Sequence, residues 1–440
     1  MNPEDGTRLE EFRQFRREVR GSGEYLLVGI DIAKEKHYAF FGTAQGKTFL
    51  RRLVFENNLE GFRRLLAQAR ALRDQNGLRR MVFGMEPTGN YHKPLGEHLI
   101  QCGHLVVLVS GVAACENRKT LDGRWDTNDT RDAANVADLM SQGKCLFYEF
   151  PVGPLSDLRN LLSLKRRFRK VEHGYQVRIR NHLLAKYFPE LDRYYKGSSP
   201  TDLAIVRWCL DPSVTAGLEY KEFVQRVWTG RRGVGKERRL QAIWELAVDS
   251  VGCEAGETVE FEAKVMVEGL KQIRESMEQI EEKIQEVCSS FPEYEYLLSI
   301  PGFGPDVSSK VLGAVGNPFR FQNGRQVLKL AGFDLCAKRS GKSSESAVPV
   351  ISRRGKADLR NGLYQAALIA SIKNPGFVAY YTDKLRGRER EPGIKFKMRV
   401  KLAAKLLLIA WTLMKKKEPF HPGYLRTTGS SVSTGDGRER

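Results

Sequence analysis

Four carboxylates and one hydroxyl are the groups in this sequence whose types and spacing suggest chemistry. Asp31 closes an apolar, β-rich run from Tyr25 to Ile30, the pattern of a buried strand. Glu86 follows a second such run, Met81 to Met85, and Pro87 and Gly89 stop that strand so that the acid stands at its tip. Asp129 and Asp132 are three residues apart at the start of a predicted helix, so both face one side of it. A carboxylate at the end of a buried strand is costly without a partner. A divalent cation is a good one, because hard cations take carboxylate oxygens. The plainer readings are a turn residue for Asp31 and dipole-matched acids at a helix start for the pair. If the four converge, they hold a pair of Mg²⁺ (or Mn²⁺) ions that stabilise the attacking and leaving oxygens of a phosphodiester displacement. Gly29, two residues before Asp31, leaves room for another backbone or a ligand to come close.

The hydroxyl is Ser352, in Ile351-Ser-Arg-Arg-Gly-Lys-Ala-Asp-Leu-Arg360. Arg353, Arg354, Lys356 and Arg360 would clamp a phosphodiester while Ser352 attacks it. Serine is a weak nucleophile unless a base or metal activates it. No histidine lies nearby in sequence, so the activating group must come from elsewhere in the fold. The alternative is that Ser352 caps the helix that follows, a position serine favours. Ser340 is the second candidate nucleophile. Upstream, Ile300-Pro-Gly-Phe-Gly304 reads as a helix-hairpin-helix loop, in which Gly302 and Gly304 let backbone N–H groups meet a phosphate. An ordinary Pro-Gly connection between helices is the competing reading.

Composition sets the partner. In 440 residues, 72 Lys and Arg stand against 53 Asp and Glu, a net charge of +19, and the isoelectric point is about 9.6. Such an excess favours a polyanion, most often nucleic acid. Within a basic protein an acidic site is reasonable if metal ions invert its local charge. A membrane is a poor rival: the most apolar run, Leu402 to Met414, is broken by Lys405 and falls short of the ~20 residues needed to span a bilayer. No signal-peptide pattern is present in Met1 to Arg20. The seven scattered cysteines form no CxxC and read as reduced cytoplasmic thiols, neither a disulfide framework nor a zinc site.

The elements that must position these groups can be read in order. Residues 1–24 form a polar leader, mobile or a short helix. Residues 25–150 give three strands, then helix, strand, helix, strand, helix, an α/β domain with a mixed sheet. Residues 151–195 hold a basic helix, with Lys165, Arg166, Arg167 and Arg169 as phosphate contacts. The stretch 384–405 is a second basic run. Residues 196–256 read as an irregular insertion with helical patches around Trp208, Val224 and Trp244. In 257–290 apolar or small residues recur at 259, 263, 266, 270, 273, 277, 280, 284 and 287, an a/d series that predicts a coiled coil joining copies into a dimer or tetramer. Residues 291–420 form a mostly helical unit, and 421–440 a disordered tail.

Three motifs of the first domain, Val28-Gly-Ile-Asp-Ile-Ala-Lys34, Met85-Glu-Pro-Thr-Gly-Asn90 and Asn128-Asp-Thr-Arg-Asp-Ala133, resemble the amino-terminal domain of the insertion sequence 110 family of transposases, which includes the Piv-type DNA invertases. The resemblance implies a RuvC-like, ribonuclease H-like fold and an Asp-Glu-Asp-Asp tetrad on Asp31, Glu86, Asp129 and Asp132. One departure is Asn128, where the family usually has lysine. Residues 297–371 resemble the family's carboxy-terminal domain through the Pro-Gly-x-Gly loop, the Leu-Ala-Gly-Phe turn at 330–333 and the Ile-Ser-Arg-Arg-Gly motif at 351–355. The matching position makes Ser352 the implied nucleophile.

By that resemblance the protein is expected to be a transposase or site-specific recombinase of an insertion sequence, acting in a prokaryotic cytoplasm on nucleoid DNA. A non-coding RNA encoded by the element would pair with donor and target DNA, and the protein would read backbone and shape. Tetrad and serine lie far apart in sequence, which makes a composite site across an oligomer attractive. Two rivals stand beside this reading. One is a nuclease for four-way junctions that uses water as its nucleophile, and the other is a non-catalytic nucleic-acid scaffold.

Overall fold

The computed structural model describes residues 3–121, 129–197, 199–230, 233–336 and 349–425, with the side chains of 3–5, 121, 129 and 130 excepted. Two compact units divide at residues 151 and 152.

The first unit is built on a six-stranded mixed sheet in the order β3-β2-β1-β4-β5-β6. Its strands are β1 (Tyr25–Asp31), β2 (Lys36–Gly42), β3 (Thr48–Glu56), β4 (Arg80–Met85), β5 (Leu105–Leu108) and β6 (Leu146–Phe147). β1 pairs antiparallel with β2 and parallel with β4. As the central strand it is buried on both faces, which explains its unbroken apolar sequence. Leu26, Val28 and Ile30 meet Phe62, Leu65 and Leu66 of α2 (Leu59–Gln75) and Leu95 and Leu99 of α3 (His92–Gln101). The alternate residues Tyr25 and Leu27 face α1 (Pro3–Glu18), α4 (Gly111–Leu121) and α5 (Asp129–Ser141). The leader is therefore not a loose segment. Leu9, Phe12 and Phe15 are buried against the sheet, a stripe of three-residue steps hidden among charges.

The second unit is helical, with two cores sharing one long helix pair: α6 (Pro154–Arg178) runs antiparallel to α12 (Glu257–Ser289). The direction follows from Lys165 meeting Glu281 and Glu172 meeting Arg274. α6 continues through a π-helical turn, Ile179–Leu184, into α7 (Ala185–Tyr187). Residues 196–256 are not irregular. They form α8 (Pro200–Trp208), α9 (Pro212–Ala216), α10 (Tyr220–Val227) and α11 (Val234–Val248) around a core with Phe188, Phe223, Leu240 and Ile243.

The heptad seam of α12 finds its partners inside the chain, which corrects the expectation of a coiled coil between copies. Ala263 and Leu270 are buried in the α6–α11 core. Ile280 and Ile284 are buried in the second core with Leu158 of α6. An apolar seam buried by its own unit is not available to a second copy.

The second core gathers α13 (Pro292–Leu298), α14 (Pro305–Val315), α15 (Gly324–Ala331), α16 (Ala357–Lys373), α17 (Pro375–Leu385) and α18 (Ile394–Lys416), together with a two-stranded ladder of β7 (Leu335–Cys336) and β8 (Val350–Ile351). Part of the expected tail, Tyr424 and Leu425, packs on this core. Residues 426–440 lie outside the described residues. Among the described residues no helix is long and apolar enough to cross a membrane.

Candidate active site and phosphate-binding surface

The carboxylate end of the first unit is organised by Gly29. A methyl group there would overlap the Ala133 carbonyl oxygen and the Ala137 amide nitrogen of α5, so only glycine lets the helix backbone lie on β1. This contact carries the first turn of α5, with Asp129 and Asp132, toward the end of the strand that bears Asp31. α4 is tied to α5 by a buried polar network. Asn117 Nδ2 donates to Asn135 Oδ1 at 2.8 Å and to Asp138 Oδ2 at 2.7 Å, and Asn135 Nδ2 donates to the Ala114 carbonyl at 2.8 Å. The α4 start in turn accommodates Glu86: a Cβ at Gly111 would lie 2.7 Å from Glu86 Oε1.

Asp31, Glu86 and Asp132 are each half-buried. Arg118 of α4 sits beside Asp132, with Nε 2.8 Å from Oδ1, close enough for an ion pair but without the alignment of a hydrogen bond. A cation thus stands against this carboxylate, and carboxylate oxygens are the donors a hard divalent ion takes. Among the described residues no three acidic, histidine or thiol side chains are gathered closely enough to hold an ion. The fourth acid, Asp129, is the first residue of α5, and its side chain lies outside the described residues. The loop after Asp31 is braced by His37, whose Nδ1 accepts from the Ala33 amide at 3.3 Å. Burial pushes the His37 imidazole down, which keeps it the neutral acceptor that this bond requires.

The serine of the second unit is not a helix cap. α16 begins at Ala357 and its N-cap is Lys356. Ser352 instead follows β8, and the turn it opens is locked to the end of α15. Arg353 N donates to the Gly332 carbonyl at 3.1 Å, Lys356 N to the Leu330 carbonyl at 2.8 Å, and Arg360 to the Ala331 carbonyl at 2.9 Å. A side chain at Gly355 would collide with the Gly332 amide and the Leu330 carbonyl. The Leu-Ala-Gly-Phe turn and the Ile-Ser-Arg-Arg-Gly motif, separate in sequence, are thus two halves of one clamp. Arg353 has φ of +57°, a left-handed conformation that costs a non-glycine residue about 1–3 kcal/mol. It is held there beside the serine.

Asp334, directly after the Leu330–Phe333 turn, is the residue that the sequence reading missed. Ser352 Oγ donates to Asp334 Oδ1 at 2.5 Å, and Oγ accepts from the Arg354 amide at 3.2 Å. The Ser352 amide also donates to the Asp334 carbonyl at 2.7 Å, so the pair extends the β7–β8 ladder. Ser340 lies outside the described residues.

The basic residues divide. Lys165 is buried, with Nζ 2.7 Å from Glu281 and 2.8 Å from Asp306, so it serves the fold and is withdrawn as a phosphate contact. Burial pushes the Asp306 carboxyl up, but the hydrogen bonds from Lys165 and Lys310 outweigh it and hold the group down at about 2. Arg166, Arg167 and Arg169 are exposed, although Arg169 also reaches Asp306 at 3.5 Å and Arg166 reaches Asp358 at 3.7 Å. α6 and the start of α16 line one cleft of about 490 Å³, with Arg166, Arg169, Lys170, Lys310 and Lys356 on its walls. The two basic motifs therefore meet. At Gly302 a Cβ would lie 2.5 Å from the Ala366 carbonyl of α16, so helix packing alone requires glycine there. At Gly304 the space is open, but Asp306 already places a carboxylate in the first turn of α14.

Comparison with known proteins now has a geometry to rest on. Residues 28–189 match a transposase domain model of the DEDD type, and residues 294–382 match the model described as transposase IS116/IS110/IS902 family. Together they take in more than half of the chain. The pilin gene-inverting proteins of Moraxella lacunata and Moraxella bovis are each 25% identical to it over 151 residues, or 33% of this chain. The match spans 45% of each of those relatives. DEDD-type transposase domains generally use divalent metal ions, in keeping with the carboxylates at the end of β1. With its mixed sheet and helical second unit, the chain belongs to the IS110 family of transposases.

Proposed function

We propose that this protein is a DNA transposase or site-specific recombinase of an insertion sequence, cutting and rejoining strands through a phosphoserine on Ser352. The observation that carries the reading is the serine clamp. A hydroxyl relieved of any capping duty is fixed at the surface beside Arg353, Arg354, Lys356 and Arg360, next to a strained residue. Strain of this kind persists only where surrounding structure over-determines it, and it concentrates at functional sites.

Asp31, Glu86, Asp129 and Asp132 would hold Mg²⁺ or Mn²⁺ in the first unit. When bound, the ions supply charge stabilisation at the phosphate undergoing displacement. The chain's own groups do the rest. Ser352 attacks the phosphodiester, the basic side chains around it neutralise the phosphate, and the hydroxyl of a second strand later displaces the serine. Donor and target DNA are the substrates. An element-encoded guide RNA is the proposed source of sequence choice, and the cleft between α6 and α16 suits a nucleic-acid backbone read by charge and shape. Exchange between two duplexes calls for more than one copy of the chain, assembled on surfaces other than the α12 seam.

The test is a trapped intermediate. The purified protein, incubated with plasmid DNA carrying the sequence that flanks its gene and with RNA transcribed from it, should yield a covalent DNA adduct on Ser352. Ser352→Ala should abolish the adduct and leave RNA binding intact. Full recombination by Ser352→Ala would overturn the reading. Strand cleavage without any adduct would favour a nuclease that uses water.

A further inference from the structure

We propose that Asp334 is the general base for Ser352, taking the Oγ proton as the hydroxyl attacks and returning it when the phosphoserine is resolved. The inference rests on Ser352 being the nucleophile and adds the group that activates it.

Hydrogen-bond bookkeeping at Oγ carries the argument. A hydroxyl has one proton and two lone pairs. The proton is committed to Asp334 Oδ1 at 2.5 Å, and one lone pair accepts from the Arg354 amide at 3.2 Å. One lone pair remains, and its direction is set by the other two bonds. Asp334 is also fixed at its own backbone, because its carbonyl accepts from the Ser352 amide at 2.7 Å. The base and the nucleophile are therefore registered to each other by main chain as well as by side chain. This is the nucleophile-and-base contact that activated serines use, with a carboxylate in place of histidine. The Arg354 N–H, already aimed at Oγ, is a donor to the negative charge that grows on this oxygen as the proton leaves.

The step balances. The Oγ lone pair forms the O–P bond while the Oγ proton passes to the Asp334 carboxylate. The bond from phosphorus to one deoxyribose oxygen breaks, and that oxygen leaves with the electron pair and takes a proton from water. In resolution a strand hydroxyl attacks the phosphoserine and loses its proton to water. The Oγ–P bond then breaks and protonated Asp334 returns its proton to Oγ. No oxidant or reductant is involved.

The experiment measures adduct formation by the full chain with the flanking-DNA plasmid and its RNA, comparing Asp334→Asn, Asp334→Glu and the unaltered protein. Asp334→Asn is isosteric and keeps a hydrogen-bond partner for Ser352, so orientation survives and only basicity is lost. We expect it to slow adduct formation about a hundredfold or more, the lower range of general-base effects. Its rate should climb about tenfold per pH unit from 7 to 9 as hydroxide replaces the base, while the unaltered protein changes little. Asp334→Glu, which retains a carboxylate, should recover part of the rate, and a purely orienting role would not produce the pH difference. Adducts forming on Ser352 at the unaltered rate in Asp334→Asn would overturn Asp334 as base and leave the serine standing. An unaltered protein that forms no adduct on Ser352 would bring down the serine, and Asp334 with it.

Discussion

The two chemical ends of this molecule use one device at different depths. In the first unit Gly29 lets the α5 backbone lie against β1, and in the second Gly355 lets the serine turn lie against the end of α15. Gly29 is in the middle of a strand buried on both faces, whereas the serine turn is exposed from Arg353 to Asp358. Positioning in the first unit is therefore inseparable from folding. In the second it is a local matter of hydrogen bonds between a surface turn and the end of α15. The difference assigns the costs: damage to the carboxylate end should be paid in stability, damage to the serine end in rate.

Matched substitutions test that contrast most severely. Gly29→Ala forces two backbones apart in a packed core and should destabilise the first unit by about 3 kcal/mol, at the upper end of overpacking effects. Gly355→Ala introduces the same overlap at the surface. Because an exposed turn can shift where a packed strand cannot, it should cost less, about 1–2 kcal/mol, yet lower the rate of adduct formation about a hundredfold, the scale of an ångström-sized misplacement. Urea unfolding and adduct kinetics measure the two quantities. Equal stability losses would erase the distinction between the units.

A second contrast lies within the basic helix α6. Lys165→Met removes the buried partner of Asp306 and Glu281. Because both acids are partly exposed and Asp306 keeps Lys310 and Arg169, the loss should be about 1–2 kcal/mol, below that for a sealed pair. The salt dependence of DNA or RNA binding should not change. Arg167→Glu should do the opposite, leaving stability within about 0.5 kcal/mol and reducing the log–log salt slope by about 1. Salt titrations with duplex DNA and with RNA decide it, and a shallower slope in Lys165→Met would restore that lysine as a phosphate contact.

The same contrast governs what the sequence made legible. β1 and β4 could be read with their bounds nearly right, and the start of α5 could be placed, because apolar period and stop residues are local signals. α1 could be read only as a leader, mobile or a short helix, because Leu9, Phe12 and Phe15 are diluted by charge. The helices of 196–256 showed only as patches around Trp208, Val224 and Trp244 because most of them are short, although Ser199 and Asp202 form a capping box at the head of α8. The heptads of α12 state that an apolar partner is required and say nothing of which chain supplies it. Nor could the Ser352–Asp334 pair be read. The residues meet across a two-residue ladder, too short to leave a pattern.

The mildest expected effect is on acid sensitivity, and it separates the units by residue type. In the first unit burial pushes His37, His92 and His104 down, with Lys93 adding to the effect at His92 and Arg70 and Arg73 at His104. Each folded imidazole resists a proton that the unfolded one accepts near pH 6.5, so their contribution is intact above that pH. It is lost as pH falls below the unfolded value toward the lowered folded ones. In the second unit Asp306, held down at about 2 against an ordinary 3.8, contributes stability that is present above 3.8 and lost only as pH falls toward 2. Amide exchange at pH 7.5 and 5.5, corrected for intrinsic rates, should show protection falling in β1 and β4 and holding in α14 and α16. Equal losses in both units at pH 5.5 would mean that the buried histidines are not what sets the acid limit of the first unit.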